Sequence, residues 1–192
     1  MILTIYLYGQ PVLRKVAEKV PADYPNLQKL AEDMFLTMDK ASGVGLAAPQ
    51  VGLALRMFVV DGNGLAEDYP ECKDFKRCMI NPEIIEESEE TITKEEGCLS
   101  IPGIYESVKR PSWIVMKYLD ENLEEHTERI EGFAARMTLH EYDHLDGHMF
   151  IDHISAIRKQ LIKGKLSTIL KGKASTAYKS KGIKSRDSYL LK

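Results

Sequence analysis

The segment that most constrains this chain of 192 residues is His-Glu-Tyr-Asp-His at residues 140–144. In a helix, His140 and His144 lie one turn apart on the same face, so both imidazoles can bind one metal ion. Glu141 lies beside them and has the chemistry of a general base. The same spacing also arises by chance on polar helix faces. The segment therefore predicts a helix with a metal site, provided that a third ligand exists.

The position of that third ligand separates the possible functions. A catalytic divalent metal usually takes three protein ligands and leaves one position open. Peptidases that share the motif place the third ligand after it, but Phe150 occupies the position of their histidine and no glutamate follows Glu141. Asp152, His153 and Asp187 remain as weak candidates. A zinc endopeptidase is therefore kept as the alternative function.

A stronger candidate ligand lies before the motif. Residues 95–100, Glu-Glu-Gly-Cys-Leu-Ser, contain Cys98, and a thiolate is a good ligand for zinc or ferrous iron. Cys72 and Cys78 are interpreted as small buried side chains. Residues 43–50, Gly-Val-Gly-Leu-Ala-Ala-Pro-Gln, have two close glycines, which indicates backbone that approaches a ligand or a neighbouring strand.

In this order, the three segments resemble the motifs of the peptide deformylase family. Those motifs are Gly-x-Gly-x-Ala-Ala-x-Gln at residues 43–50, Glu-Gly-Cys-Leu-Ser at 96–100 and His-Glu-x-Asp-His at 140–144. The resemblance runs from about residue 2 to residue 155. Three features depart from the family pattern: Leu139 stands where glutamine is common, residues 62–77 look like an insertion, and the C-terminal tail is long.

The resemblance implies an enzyme that removes the formyl group from N-formylmethionine of newly made polypeptides and releases formate. It implies one divalent ion held by Cys98, His140 and His144, with Fe²⁺ as the native metal and Zn²⁺ or Ni²⁺ as substitutes. A thiolate with two imidazoles accepts all three ions, so the sequence does not choose among them. A binding module with a closed structural site, completed by Cys78 or His148, is a further alternative.

The resemblance also implies roles for the residues around the metal. Glu141 is the general base, while the Gln50 side chain and the Leu99 N–H stabilise the oxyanion. The Gly45 backbone binds the substrate main chain, and Val44 forms part of an apolar pocket for the methionine side chain.

Other polar residues near these motifs have less certain roles. Glu96 and Arg110 form either an ion pair or two separate surface charges. His126, His148 and His153 are interpreted as residues that do not bind the metal.

The patterning predicts an α+β fold. Apolar residues recur at helical spacing over residues 26–40, and two more helices are predicted over 133–146, which carries the histidines, and 155–170. Segments rich in β-branched and aromatic residues predict strands at 56–61, 79–81, 84–93, 113–119 and 126–130. This order favours mixed or antiparallel sheets packed around a central motif helix, with an N-terminal helix and a further C-terminal helix.

Composition and charge suggest the domain organisation, the location and the partners. Residues 1–170 are expected to form a single catalytic domain, and 171–192 a basic tail whose composition is compatible with disorder. Residues 155–192 hold eleven Lys or Arg and one acid, a net of +10 in a chain of net −3. This asymmetry indicates a polyanionic partner. With the resemblance, it suggests ribosomal RNA near the exit tunnel, where nascent formyl-Met polypeptides emerge.

Targeting signals and cysteine usage suggest the compartment. The first residues do not resemble a secretory signal, and no segment has the length of a membrane span. Three cysteines are too few for a disulfide framework and suit a reducing compartment. We therefore expect a cytoplasmic protein without membrane or DNA partners.

Overall fold

The computed structural model describes residues 1–183, and these form an α+β fold, as the sequence predicts. The helices are α1 (Leu27–Lys40), α2 (Gly132–Leu145) and α3 (Ala156–Leu170). The strands are β1 (Ile5–Tyr6), β2 (Gly45–Ala47), β3 (Met57–Asp61), β4 (Lys76–Glu87), β5 (Thr91–Cys98), β6 (Ile101–Pro111), β7 (Trp113–Leu119), β8 (Glu125–Glu131) and β9 (Ser180–Lys181). The three predicted helices are confirmed, with ends shifted by one residue.

The centre of the molecule is an antiparallel sheet with strand order β2-β3-β4-β7-β8. Side chains of β3 alternate between its two faces. Phe58 and Val60 join the apolar cluster that contains α2 residues, whereas Met57 and Val59 join the cluster that contains α1 residues. The sheet therefore lies between α1 and α2, which explains why β3 is apolar at every buried position.

Strands β5 and β6 form a separate two-stranded hairpin. Ile104 and Val108 of β6 belong to a third apolar cluster, together with Phe150 and with Ile162 of α3. Because the turn of this hairpin follows Cys98, packing against this cluster fixes the position of the cysteine.

The prediction of one strand over residues 84–93 is wrong. The chain turns at residues 88–90, which separate β4 from β5, and the Ser88 hydroxyl donates to the Glu90 carbonyl at 2.6 Å. No glycine or proline marks this turn, so the sequence pattern does not reveal it.

Strand β6 was not predicted from the sequence. Its buried positions alternate with exposed ones from Ile104 onward, but two of them hold charged residues, Glu106 and Arg110. Glu106 is paired with Arg158 of α3 at 2.7 Å. Polar residues at core-facing positions remove the apolar alternation by which a strand is recognised.

The segment after α3, expected to be a tail, contributes to the fold as far as residue 183. Strand β9 pairs in parallel with β1, with Ile5 opposite Ser180. The rest of the expected tail, residues 184–192, lies outside the described residues. Within residues 1–183, no helix is both long and apolar enough to cross a membrane.

Candidate metal centre and active-site cleft

The motif helix α2 is buried along most of its length. It begins at Gly132, whose φ of +57° is a left-handed conformation that favours glycine. The N–H of Phe133 in its first turn donates to the Glu71 carboxylate at 2.8 Å. Glu71 lies in the apparent insertion, residues 62–77, where Tyr69 also stacks on Phe133 with ring centroids 4.3 Å apart. The insertion therefore supports the start of the helix that carries both motif histidines.

The structure brings Cys98 to the two histidines. The ligand atoms of Cys98, His140 and His144 all lie within 4.8 Å of one another. The Cys98 Sγ is 3.4 Å from the His144 Nε2. A register shift in the hairpin between Gly97 and Cys98 turns the strand end towards α2. Residues far apart in sequence thus form one compact set of soft and borderline donors.

These three residues fit a divalent metal ion. Burial lowers the pKa of His144 to about 3, so its imidazole is neutral, which is the form that binds metals. The Nδ1 of His144 and the Oε2 of Glu141 are buried without a hydrogen-bond partner among the described residues. Buried polar atoms are normally satisfied, so the unpartnered Glu141 oxygen is consistent with a water in the cleft, whereas the His144 Nδ1 is on the ring edge away from the Nε2 that faces Cys98.

The His140 ring is held by a buried ion network. Its Nδ1 lies 2.9 Å from the Glu96 Oε2, which leaves Nε2 to face the cluster. Arg110 binds both Glu96 oxygens at 2.9 Å, so of the two alternatives that the sequence left open the structure shows the ion pair. Burial raises the pKa of Glu96, but the hydrogen bonds from His140 and Arg110 outweigh it and hold that pKa below its usual value. Arg136, which sequence reasoning missed, donates to Glu96 at 2.7 Å.

Arg110 extends the network towards the surface. Its Nη1 donates to Asp143 at 2.7 Å, and the Nε2 of His153 lies 2.7 Å from the same carboxylate oxygen. His153 is thus engaged away from Cys98. His148 is largely exposed and faces Asp152.

Glu141 is placed against the glycine-rich segment. A Cβ on Gly45 would lie 2.3 Å from the Glu141 Oε1, so only glycine fits here without displacing the carboxylate. Burial raises the pKa of Glu141 to about 7. A carboxyl group with a pKa near neutrality can both accept and donate a proton at physiological pH.

Gln50 and Leu99 line the same cleft as Cys98. The Gln50 Oε1 accepts from the Ala47 N–H at 2.7 Å, which directs its Nε2 towards Cys98 Sγ at 3.4 Å and Ser100 Oγ at 3.2 Å. Leu99 occupies the turn of the β5–β6 hairpin. The Gln50 amide therefore lies close to the cluster, and Leu99 lines the same cleft.

A cleft of about 460 Å³ opens onto these residues. Val44 and Gly45 line it. Sequence reasoning missed two tyrosines at this cleft, Tyr105 and Tyr178, because neither lies in a recognisable motif.

The other two cysteines are buried in apolar clusters away from this cleft. A second group of possible metal donors lies near the β7–β8 turn and contains Asp120, Glu124 and His126. The Asp120 carboxylate already accepts from His126 at 2.8 Å and from the Glu124 N–H at 3.0 Å. These contacts explain the cluster as a turn without an ion.

Comparisons with known proteins agree with this architecture. The polypeptide deformylase family profile matches residues 2–160. A peptide deformylase from Christiangramia forsetii is 49% identical over 176 residues, which cover 88% of this chain and 90% of that protein. The crystal structure of peptide deformylase from Thermotoga maritima has a TM-score of 0.73 at 43% identity and covers 81% of this chain and 99% of that one. The Ehrlichia chaffeensis enzyme in complex with actinonin has a TM-score of 0.81 at 33% identity, with 91% and 99% coverage.

Together with the family match, the α+β fold and its cleft place the chain in a class of hydrolases. The chain belongs to the polypeptide deformylase family. The family resemblance seen in the three sequence motifs is thereby confirmed.

Proposed function

We propose that this enzyme removes the formyl group from the N-formylmethionine of newly synthesised polypeptides in the cytoplasm and releases formate. The observation that carries the proposal is the convergence of Cys98, His140 and His144 within 4.8 Å in a cleft, beside the buried Glu141. Cys98 is the candidate third ligand, which favours this function over that of a zinc endopeptidase with a downstream ligand.

The three donors would hold one divalent ion, with Fe²⁺ as the native metal and Zn²⁺ or Ni²⁺ as substitutes. When bound, such an ion acts as a Lewis acid and lowers the pKa of a bound water to about 7. The donor set does not select among the three metals.

Glu141 accepts the proton of the attacking water and passes it to the leaving amine as the C–N bond of the formamide breaks. The formyl carbon leaves as formate, and the peptide keeps a free α-amine. The Gln50 side chain and the Leu99 N–H donate to the oxygen that becomes negative in the transition state. The loss of one such donor typically costs about 10²- to 10³-fold in rate.

Substrate contacts come from the glycine-rich segment. The Gly45 backbone binds the substrate main chain, and Val44 packs against the methionine side chain. Both residues line the cleft next to Glu141. An apolar wall at this position suits an unbranched thioether side chain.

The decisive assay measures formate release from a formyl-Met peptide by freshly prepared ferrous protein. The matched control is the same peptide with an acetyl group. Turnover of the formyl peptide alone supports the proposal, whereas cleavage of an internal peptide bond without formate would support the endopeptidase alternative. Actinonin, bound in the Ehrlichia chaffeensis structure, should inhibit the reaction.

We also propose that the basic C-terminal segment, residues 155–192, associates with the ribosome. Its net charge of +10 favours contacts with RNA phosphates, and such contacts weaken steeply with salt.

Truncation at residue 171 is a poor test of this association because it would also remove β9. A sharper test is co-sedimentation with ribosomes of the double variant Lys163→Glu/Lys165→Glu, which changes two exposed positions of α3. The control is Lys40→Glu, at an exposed position at the end of α1. Equal binding by all variants at low salt would rule out α3 as the contact.

A further inference from the structure

The C-terminal segment returns to the active-site cleft after leaving α3. We call residues 176–183 the C-terminal strap. The strap lies beyond residue 160, where the family match ends. The N–H groups of Ile5 and Leu7 donate to the carbonyls of Lys179 and Lys181, each at 2.9 Å. These hydrogen bonds to β1 therefore hold the strap in place.

This anchoring places Tyr178 beside the turn between β5 and β6, which contains Leu99. Its hydroxyl donates to the Leu99 backbone carbonyl at 2.5 Å, and its side chain lines the same cleft as Cys98. Burial and the nearby Cys98 raise the pKa of the Tyr178 phenol. The hydroxyl therefore remains protonated and donates at neutral pH.

The neighbouring groups of the turn are held as well. The Ser100 carbonyl accepts from the Tyr8 N–H at 2.8 Å, and the Ser100 hydroxyl contacts the Gln50 Nε2 at 3.2 Å. Together with the Tyr178 hydroxyl, these contacts restrain the turn at residues 99–100 through three hydrogen bonds. The Leu99 carbonyl and the Leu99 N–H flank the same Cα, so a hydrogen bond that holds the carbonyl limits how far the Cα, and the N–H attached through it, can move.

We propose that Tyr178 is a positioning residue for the Leu99 N–H. By holding the Leu99 carbonyl, the C-terminal strap keeps this N–H directed towards the substrate oxygen. The proposal rests on the proposed function, because that function assigns Leu99 as an oxyanion donor. Donors of this kind accelerate a reaction only if they are oriented before the charge develops. The strap thus supplies a part of the active site from outside the region that the family profile matches.

The test is Tyr178→Phe, which removes the hydroxyl and retains the ring. We expect kcat for a formyl-Met peptide to fall about tenfold with KM unchanged, because a misdirected donor loses part of its transition-state contribution. Metal content should stay the same. The matched control is Tyr118→Phe, which removes a hydroxyl that donates to Glu128 at 2.7 Å away from the cleft. Wild-type kcat in Tyr178→Phe would overturn the proposal, as would an equal loss in both variants.

A second measurement is independent of turnover. Amide hydrogen exchange of the segment 97–101 should be faster in Tyr178→Phe than in the wild type, and unchanged in Tyr118→Phe. Unchanged exchange in Tyr178→Phe would show that the hydroxyl does not hold the turn. If the wild-type protein released no formate, the proposed function would fail, and the exchange data would still decide whether Tyr178 restrains Leu99.

Discussion

The Glu141 carboxylate packs directly against Gly45 of the glycine-rich segment. A Cβ at Gly45 would come within 2.3 Å of the carboxylate, so a side chain at position 45 would displace it. The sequence shows both residues, but in separate motifs. The close approach explains why a glycine is required where a strand of the central sheet would otherwise favour a β-branched residue.

At the same scale, replacing Glu141 should abolish turnover without loss of metal. Glu141→Ala removes the proton acceptor but none of the three candidate ligands, so we expect a loss of at least about 10²-fold in kcat with metal content near one per chain. Cys98→Ala is the matched comparison and should lose both metal and activity. Metal analysis of the purified variants would contradict these assignments if Glu141→Ala were metal-free or Cys98→Ala remained loaded.

The three thiols should differ in reactivity. Burial, with the nearby Glu71, raises the pKa of Cys72 to about 11, and burial raises the pKa of Cys78 further. Because the thiolate is the reactive form, iodoacetamide should alkylate Cys98 in metal-free native protein and leave the other two intact. Peptide mass mapping checks this, with metal-loaded protein as the control in which Cys98 is protected. Alkylation of Cys72 or Cys78 before unfolding would contradict the assignment.

At the scale of elements, the motif helix depends on a residue outside itself. Glu71 accepts from an N–H in the first turn of α2, where helix ends leave donors unpaired and the dipole favours negative charge. The apparent insertion therefore acts as a cap for the helix that carries His140 and His144.

Replacing this cap should lower stability modestly. We expect Glu71→Ala to reduce the free energy of unfolding by about 0.5–1 kcal/mol, which is typical of a lost cap at an exposed site. Urea unfolding of the metal-free protein measures the effect. Glu67→Ala, at an exposed position of the same segment, is the control and should change little. An equal effect of both substitutions would argue against capping.

At the scale of the whole molecule, one ion pair joins distant parts of the chain. Arg14 of the N-terminal region binds Asp152, which follows α2, at 2.5 Å, and also donates to the Gly147 carbonyl at 3.1 Å. Burial raises the pKa of Asp152, but the hydrogen bonds from Arg14 and the Met149 N–H, with the positive charge of Arg14, together outweigh it and lower that pKa below its usual value. Because both side chains are partly exposed, solvent screening limits the contribution to about 0.5 kcal/mol.

The sign of the pH dependence follows from the lowered pKa. The ionised Asp152 is favoured in the folded state, so its contribution is complete above the unfolded pKa of about 4 and is lost as the pH falls through the lower folded value. Asp152→Asn should therefore be less stable than the wild type at pH 7, and the difference should shrink below pH 4. Urea unfolding of metal-free protein at several pH values measures this. A difference that stays constant with pH would contradict the ion pair.

The sequence predicted the parts of this protein that local patterns encode. Helical periodicity located α1, α2 and α3 to within one residue at each end. The spacing of His140 and His144 implied a shared helix face, and three ordered motifs indicated the family. These features depend on neighbours within a few residues along the chain, so they can be recognised without the fold.

Only the tertiary structure decided the long-range pairings. Strand β6 escaped prediction because Glu106 and Arg110 occupy buried positions, and they are acceptable there only because Arg158 and Glu96 neutralise them. The contact of Tyr178 with Leu99 spans 79 residues and follows from the pairing of β9 with β1. Such contacts depend on which surfaces meet when the chain folds. They join residues far apart in sequence, so the local periodicity of the chain cannot predict them.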